Sequence, residues 1–143
     1  MYKIKNELCI FDYRYDKPIS NKISHLLTNC NIIIFSDYGT YEATLKKYNN
    51  LYNGSNFKGS IFNEPLDNLP ITIKKIFLGY SFNHPINNLP FSLKILVVDN
   101  IGRYFCDEII YPNELNKLNK NLMILYSADF INRELEYIRC ISN

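Results

Sequence analysis

Short apolar runs rich in isoleucine, valine and phenylalanine recur along the chain, and each is closed by a polar or small residue. Runs of about four such residues between turn formers predict β-strands. The five runs are Leu8-Cys9-Ile10-Phe11 before Asp12, Ile33-Ile34-Phe35-Ser36 before Asp37, Ile76-Phe77-Leu78 before Gly79, Leu96-Val97-Val98 before Asp99, and Ile124-Leu125-Tyr126-Ser127 before Ala128. Strands that recur every ~20–29 residues are typical of a solenoid, in which each coil covers the apolar face of the next.

The repeat is clearest at residues 62–81 and 82–101, which are two copies with a period of 20 residues. The shared residues are Phe62, Asn63, Pro65, Leu69 and Pro70 in the first copy and Phe82, Asn83, Pro85, Leu89 and Pro90 in the second. Because proline excludes regular helix and central strand, the arms that connect the strands are predicted to be extended or 3₁₀-like. The pattern therefore predicts a mainly β, α/β solenoid, right-handed, with short parallel strands and arms rich in proline and asparagine.

Weaker copies extend the repeat to about residues 8–37, 40–61 and 111–128, so residues 1–143 are predicted to form one domain. The segment 40–61 is ambiguous. Thr44-Leu45-Lys46-Lys47 matches Thr72-Ile73-Lys74-Lys75, while Phe57-Lys58-Gly59 matches Phe77-Leu78-Gly79. Only one of these two matches can be the strand of a single coil, and the sequence pattern leaves both open.

Residues 129–143 follow a different pattern. Ile131, Leu135, Ile138 and Ile141 have helical spacing, with charged residues between them and Asp129 as a predicted N-cap. This predicts an amphipathic helix that caps the last coil. The alternative is a further strand, because Leu135-Glu136-Tyr137-Ile138 resembles Leu93-Lys94-Ile95-Leu96.

The motif Phe-Asn-x-Pro-Leu/Ile-x-Asn-Leu-Pro-x-Ser/Thr-Leu/Ile-Lys resembles the FNIP repeat, a relative of the leucine-rich repeat found in social amoebae and giant amoebal viruses. The resemblance implies a leucine-rich-repeat-like fold and a non-catalytic protein–protein interaction module of viral or amoebal origin. It implies a cytoplasmic location, in the host cytoplasm if the protein is viral. In viral members an F-box often precedes the repeats, but residues 1–60 contain repeat-like strands and no F-box pattern.

The recurring residues are predicted to be structural. Asn63 and Asn83, with Asp16 as the equivalent residue of the first copy, are expected to satisfy backbone groups of neighbouring coils. Phe62, Phe82, Leu69 and Leu89 are expected in the core, and the prolines are expected to stiffen the arms. His84 occupies a variable position and is predicted to be exposed, without a catalytic role.

Composition removes several function classes. The chain of 143 residues carries a net charge of +2, and no run of like charges is longer than Lys46-Lys47 or Lys74-Lys75, which argues against nucleic-acid binding. No apolar stretch is long enough to span a membrane, and the N-terminus does not resemble a secretion signal, so no membrane association and no secretion are expected. The cysteines at 9, 30, 106 and 140 lack zinc-site spacing and are predicted to be free core residues. We expect no cofactor, no metal and no catalytic residues.

Two further hypotheses concern aligned positions. Asp12, Asp37 and Asp99 all follow strands, either to form turns through their side chains or to hold a cation. Alignment on the closing residues also predicts an exposed apolar stripe that would bind a partner, formed by Ile10, Phe35, Phe77, Val97 and Tyr126. Two alternatives stay open for the stripe. In the first, the register differs by one residue. In the second, the stripe is covered by the C-terminal helix or by residues 102–110, an insertion that precedes the copy at 111–128.

The function predicted from sequence is thus protein–protein interaction, with a partner that the sequence does not identify and with self-association possible. Two other functions remain open. One is a structural or self-assembling component of a viral particle, and the other is the substrate-recognition part of a ubiquitin ligase.

Overall fold

A computed structural model describes residues 2–49, 57–84, 89–98 and 122–126. Six short strands form one sheet in the order of the sequence. The strands are β1 (Tyr2–Lys5), β2 (Leu8–Phe11), β3 (Ile32–Phe35), β4 (Lys75–Phe77), β5 (Ile95–Val98) and β6 (Met123–Tyr126). The helices are α1 (Asn21–Leu26), which runs into a 3₁₀ turn at Leu27–Asn29, and α2 (Tyr41–Asn49). The predicted mainly β, α/β class is confirmed, since the described residues contain a mixed sheet with few helices.

An antiparallel hairpin begins the sheet. β1 pairs with β2 so that Lys5 lies opposite Leu8, and Asn6 and Glu7 form the two-residue turn between them. Both turn residues have positive φ, 53° and 67°. Asparagine tolerates this conformation well and glutamate does not, so Glu7 stands where hairpins of this type favour glycine.

The remaining strands are parallel and in register. β2 pairs with β3, β3 with β4, β4 with β5 and β5 with β6. One row across the sheet reads Cys9, Ile33, Ile76, Leu96 and Ile124, and the next reads Ile10, Ile34, Phe77, Val97 and Leu125. The five strands predicted from the apolar runs are therefore confirmed, each within one residue of its predicted bounds.

The described residues of the segment 40–61 contribute no strand to the sheet. β3 pairs directly with β4, and the described residues of this segment contribute the helix α2 and no strand. The predicted repeat at about 40–61 is therefore wrong for these residues. The helix presents Tyr41, Thr44 and Leu45 to the sheet, and Thr44 is fully buried. This spacing of three and four residues is that of one helix face, and a period of two would be needed for a strand.

Two apolar clusters lie on the two faces of the sheet. On the first face, which we call the arm face, Cys9, Phe11, Ile33 and Phe35 pack against side chains of the arms between strands. On the second face, which we call the helix face, the cluster consists of Leu8, Ile10, Ile32, Ile34, Tyr41, Phe77 and Val97, with Tyr38, Leu45 and Ile95 packed against it. Since both faces are covered at β2, β3 and β5, these strands read as continuous apolar runs without alternation.

The predicted exposed stripe is wrong. Ile10, Phe77 and Val97 belong to the helix face and are at most 2% exposed, and Phe35 is equally buried on the arm face. The register explains the error for Phe35, because Ile34 pairs with Ile10 and with Phe77. The side chain of Tyr126 lies outside the described residues, as do Pro85, Asp99, Cys106, Cys140, the insertion at 102–110 and the predicted cap at 129–143.

Candidate interaction surface

The repeated aromatic residue of each copy stacks against its equivalent in the next copy. Phe62 and Phe82 lie with ring centroids 6.1 Å apart and planes 12° apart, and Tyr15 of the first copy lies 5.9 Å from Phe62. Phe62 also stacks on Phe35 at 4.0 Å, and Phe35 stacks on Phe11 at 4.9 Å. Phe62 and Phe82 are each 1% exposed, which confirms them as core residues.

The predicted asparagine contact between copies is present. Asn83 donates its backbone N–H to the side-chain oxygen of Asn63 over 2.7 Å, so Asn63 satisfies a backbone donor one repeat away. His84 is half-buried, which corrects the prediction that it is exposed. Its Nε2 lies 2.9 Å from the carbonyl oxygen of Asn63, and its ring packs on Phe82.

The second proline of each copy begins a tight turn that leads into the strand. Ile73 donates to the carbonyl of Pro70 over 3.2 Å, and Leu93 donates to that of Pro90 over 3.0 Å. Ser92 in the second turn donates its hydroxyl to the carbonyl of Ile73 over 3.0 Å, which connects one turn to the next. Leu69 and Leu89 before these prolines are half-buried against the core.

These turns carry the most exposed large apolar side chains among the described residues. Ile71 and Phe91 occupy the same position of the two turns and are 75% and 87% exposed. Isolated exposed apolar residues are normal, whereas the same exposure at successive repeats indicates a feature of the repeat itself. The signal for this pair was present in the sequence, since an apolar residue follows the second proline in both copies. The predicted exposed stripe was obtained from the alignment of the strands alone and therefore did not include Ile71 and Phe91.

A second aromatic group lies where the chain leaves β3 and re-enters the sheet. Phe57 contacts Tyr38 and Tyr80 edge-on, with centroid distances of 6.1 and 5.6 Å. Asp37 holds together the two ends of the segment between Asp37 and Ser60, which we call the insertion and whose described residues include α2. Its Oδ1 accepts the backbone N–H groups of Ser60 and Tyr80 at 2.7 and 2.9 Å, and its carbonyl accepts that of Lys58 at 2.6 Å.

The carboxylates of Asp12 and Asp37 are thus occupied by hydrogen-bond donors. Asp12 accepts the backbone N–H of Arg14 at 2.9 Å and two guanidinium bonds at 3.0 Å. These bonds from Arg14 hold the pKa of the Asp12 carboxyl below its usual value. Within the described residues, no three histidine, cysteine, aspartate or glutamate side chains come together as metal ligands. For Asp12 the turn interpretation is confirmed, because its carboxylate accepts the N–H two residues further on. Asp37 differs from this prediction, because its carboxylate joins distant segments of the chain.

Two of the four cysteines lie in the described part of the chain, and both are buried and free as predicted. Burial raises the pKa of the Cys9 thiol, and it raises that of Cys30 to about 11. Thiols of this kind are poor nucleophiles at neutral pH because the reactive thiolate is scarce. His25 is exposed on α1, and its carbonyl accepts the hydroxyl of Thr28.

The chain matches no protein-family model, no curated protein and no solved structure. The resemblance to FNIP repeats therefore depends on the motif residues alone. Searched over the described residues, the structure contains no helix with the length and apolar character needed to cross a membrane.

Proposed function

We propose that this chain is a non-catalytic protein–protein interaction module built as a short, right-handed solenoid of FNIP-type repeats. The solenoid part of the proposal is supported by bonds that repeat from coil to coil. Glu7 O accepts Asn31 N, Asn31 O accepts Lys74 N, and Lys74 O accepts Lys94 N, at distances between 2.7 and 2.9 Å. Equivalent residues thus make equivalent contacts along the sheet, as stacked coils do.

The observation that carries the interaction role is the pair Ile71 and Phe91. Each protrudes from the turn before a strand, one repeat apart, and the parallel pairing places β4 beside β5. Neighbouring strands lie ~4.8 Å apart, so the two side chains project from the same edge of the sheet at adjacent coils. Large apolar residues in this arrangement are favoured anchors for a partner protein.

The test compares two variants in quantitative affinity purification from expressing cells. In the double variant Ile71→Lys/Phe91→Lys, we expect the proteins recovered with the wild type to be lost while the melting temperature is unchanged. Ile61→Lys is the matched control, because Ile61 is also exposed, by 48%, and lies in the same arm as Ile71. Its backbone N–H donates to the carbonyl of Tyr13, which follows β2, so Ile61 lies at the opposite ends of the strands from Ile71 and Phe91. This variant should recover the same proteins as the wild type. Recovery of the same proteins with the double variant would contradict the proposal.

The identity of the recovered proteins distinguishes the possible biological roles. Ligase scaffold subunits would indicate substrate recognition for ubiquitination. Virion proteins would indicate a structural component, and other partners would support a separate interaction module.

A further inference from the structure

We propose that the outer edge of β1 binds an extended acidic–apolar segment of a partner protein, which adds to the sheet as a further strand. All four residues of β1 are exposed. β1 is the first strand of the sheet, and no described residue pairs with its outer side. An open strand edge is a template on which another strand can form main-chain hydrogen bonds.

The hairpin register identifies the backbone groups that this edge offers. The turn has two residues, so Lys5 and Leu8 are the hydrogen-bonded pair that closes it. Hydrogen-bonded and non-hydrogen-bonded pairs alternate in an antiparallel ladder, so the backbone of Lys3 also faces β2. The N–H and C=O groups of Tyr2 and Ile4 therefore point away from the sheet.

The two faces of β1 differ in chemistry. Tyr2 and Ile4 continue the arm face, where Tyr2 lies 5.5 Å from the ring of Phe11, yet they are 38% and 37% exposed. On this face, arm side chains cover the strands β2 to β5, whereas no described arm lies outside β1, and this leaves Tyr2 and Ile4 partly uncovered. Apolar side chains of an added strand would cover them.

Lysines occupy the other face of β1. Lys3 contacts α2, where its Nζ lies 2.6 Å from Glu42 and 5.2 Å from the ring centroid of Tyr41. Lys5 forms no ion pair within the described part of the chain. Because opposite charges on directly paired strand residues are favourable, we infer an acidic residue of the partner opposite Lys5 and a polar or acidic one opposite Lys3.

Charge also decides between a partner protein and a second copy of this chain. In a symmetric antiparallel pairing of two β1 strands with their faces aligned, lysine would lie opposite lysine. Like charges in this position are destabilising, and lysines on edge strands oppose self-association. The acidic–apolar segment satisfies both faces of β1, and a second copy satisfies only the apolar one.

The experiment measures the binding of two labelled hexapeptides by fluorescence anisotropy, one of alternating glutamate and valine and one of alternating lysine and valine. We expect the glutamate peptide to bind about fivefold more tightly than the lysine peptide, and the variant Lys5→Glu to reverse this preference. In heteronuclear NMR spectra, the largest shifts on binding should fall on the amides of Tyr2 and Ile4.

Ile4→Pro tests the main-chain bonds. It removes an outward N–H and leaves the bonds between β1 and β2 intact, so binding should be lost at an unchanged melting temperature. Ile4→Ala is the matched control and should retain the charge preference. Equal binding of the two peptides, binding of neither, full binding by Ile4→Pro, or dimerisation through β1 in analytical ultracentrifugation would each overturn the proposal. Because Ile71 and Phe91 take no part, none of these results bears on the proposed function.

Discussion

The two faces of the sheet are both buried, but they are built in different ways. On the arm face, Tyr15, Phe62 and Phe82 come from the same position of successive copies and cover the strands in turn. On the helix face, the cover described includes α2, which has no counterpart in the other described copies. The comparison teaches that a sequence repeat predicts the packing only on the face that its recurring residues cover. The other face can be covered by a segment that has no counterpart in the repeat.

The largest expected effect tests the arm face. Phe62 is 1% exposed and stacks on Phe35, Tyr15 and Phe82, so Phe62→Ala should leave a cavity between two copies. We expect a loss of about 3–5 kcal/mol in the free energy of unfolding, measured by urea denaturation. Ile61→Ala, one residue away and 48% exposed, is the control and should change stability little. Equal effects of the two substitutions would mean that Phe62 is not a core residue.

The second prediction tests how Asp37 attaches the insertion to the sheet. Its carboxylate accepts two backbone N–H groups, those of Ser60 and Tyr80, and so fixes the insertion on the sheet. Asp37→Ala leaves both donors without this acceptor and should cost about 2–3 kcal/mol. Asp12→Ala removes bonds to the exposed Arg14 and is expected to cost less. Chemical denaturation of both variants gives the comparison, and a larger loss for Asp12→Ala would contradict it.

Gly79 tests how closely successive segments of the chain approach. A Cβ atom at this position would collide with the Cβ of Ser60 and lie 2.9 Å from the carbonyl oxygen of Phe35. Gly79→Ala should therefore cost about 1–3 kcal/mol in the free energy of unfolding through overpacking, measured by urea denaturation. The double variant Gly79→Ala/Ser60→Gly removes the first collision and should recover part of the loss. No loss in the single variant would show that Gly79 and Ser60 are farther apart than described.

The smallest effect concerns the turn of the hairpin, at Asn6 and Glu7, which precedes the first copy of the repeat. Glu7→Gly relieves a positive φ of 67° and should stabilise the protein by about 0.5–1 kcal/mol. Asn6→Gly is the control and should change stability less, because asparagine already tolerates this conformation. Thermal denaturation distinguishes the two variants, and destabilisation by Glu7→Gly would contradict the turn geometry.

The strands and the arm face could be predicted from the sequence because they depend on local signals. Apolar runs gave the strands, and the copies at 62–81 and 82–101 gave the stacked phenylalanines and the contact from Asn83 to Asn63. Gly79 was read as a turn residue, but its φ is not positive, and the close approach of Ser60 is what requires glycine. A close contact between distant residues, such as Gly79 and Ser60, cannot be recognised from the sequence pattern around either residue alone.

The helix face and the exposed pair could not be predicted by the same means. Residues 44–47 match residues 72–75 of the repeat, and the helix becomes evident only from the packing of Tyr41, Thr44 and Leu45 on one side. The predicted stripe is wrong for Phe35 because a shift of one residue reverses the faces of a strand. It is wrong for Ile10, Phe77 and Val97 because the face that they share is buried. Asp37 was aligned with Asp12 and Gly79, whereas the register places Ser36 beside them. Exposure of Ile71 and Phe91 depends on the turn after each second proline, which the strand alignment did not consider.

The central claim is that β3 lies directly beside β4, while the described residues between Asp37 and Ser60, which include α2, lie outside the sheet. Nuclear Overhauser effects between the backbones of residues 32–34 and 75–77 test it most directly, on uniformly labelled protein. The account predicts contacts for the pairs Ile33 with Ile76 and Ile34 with Phe77, and helical contacts within 41–49. Cross-strand contacts from residues 40–49 or 57–61 to both β3 and β4, without contacts between β3 and β4, would contradict it.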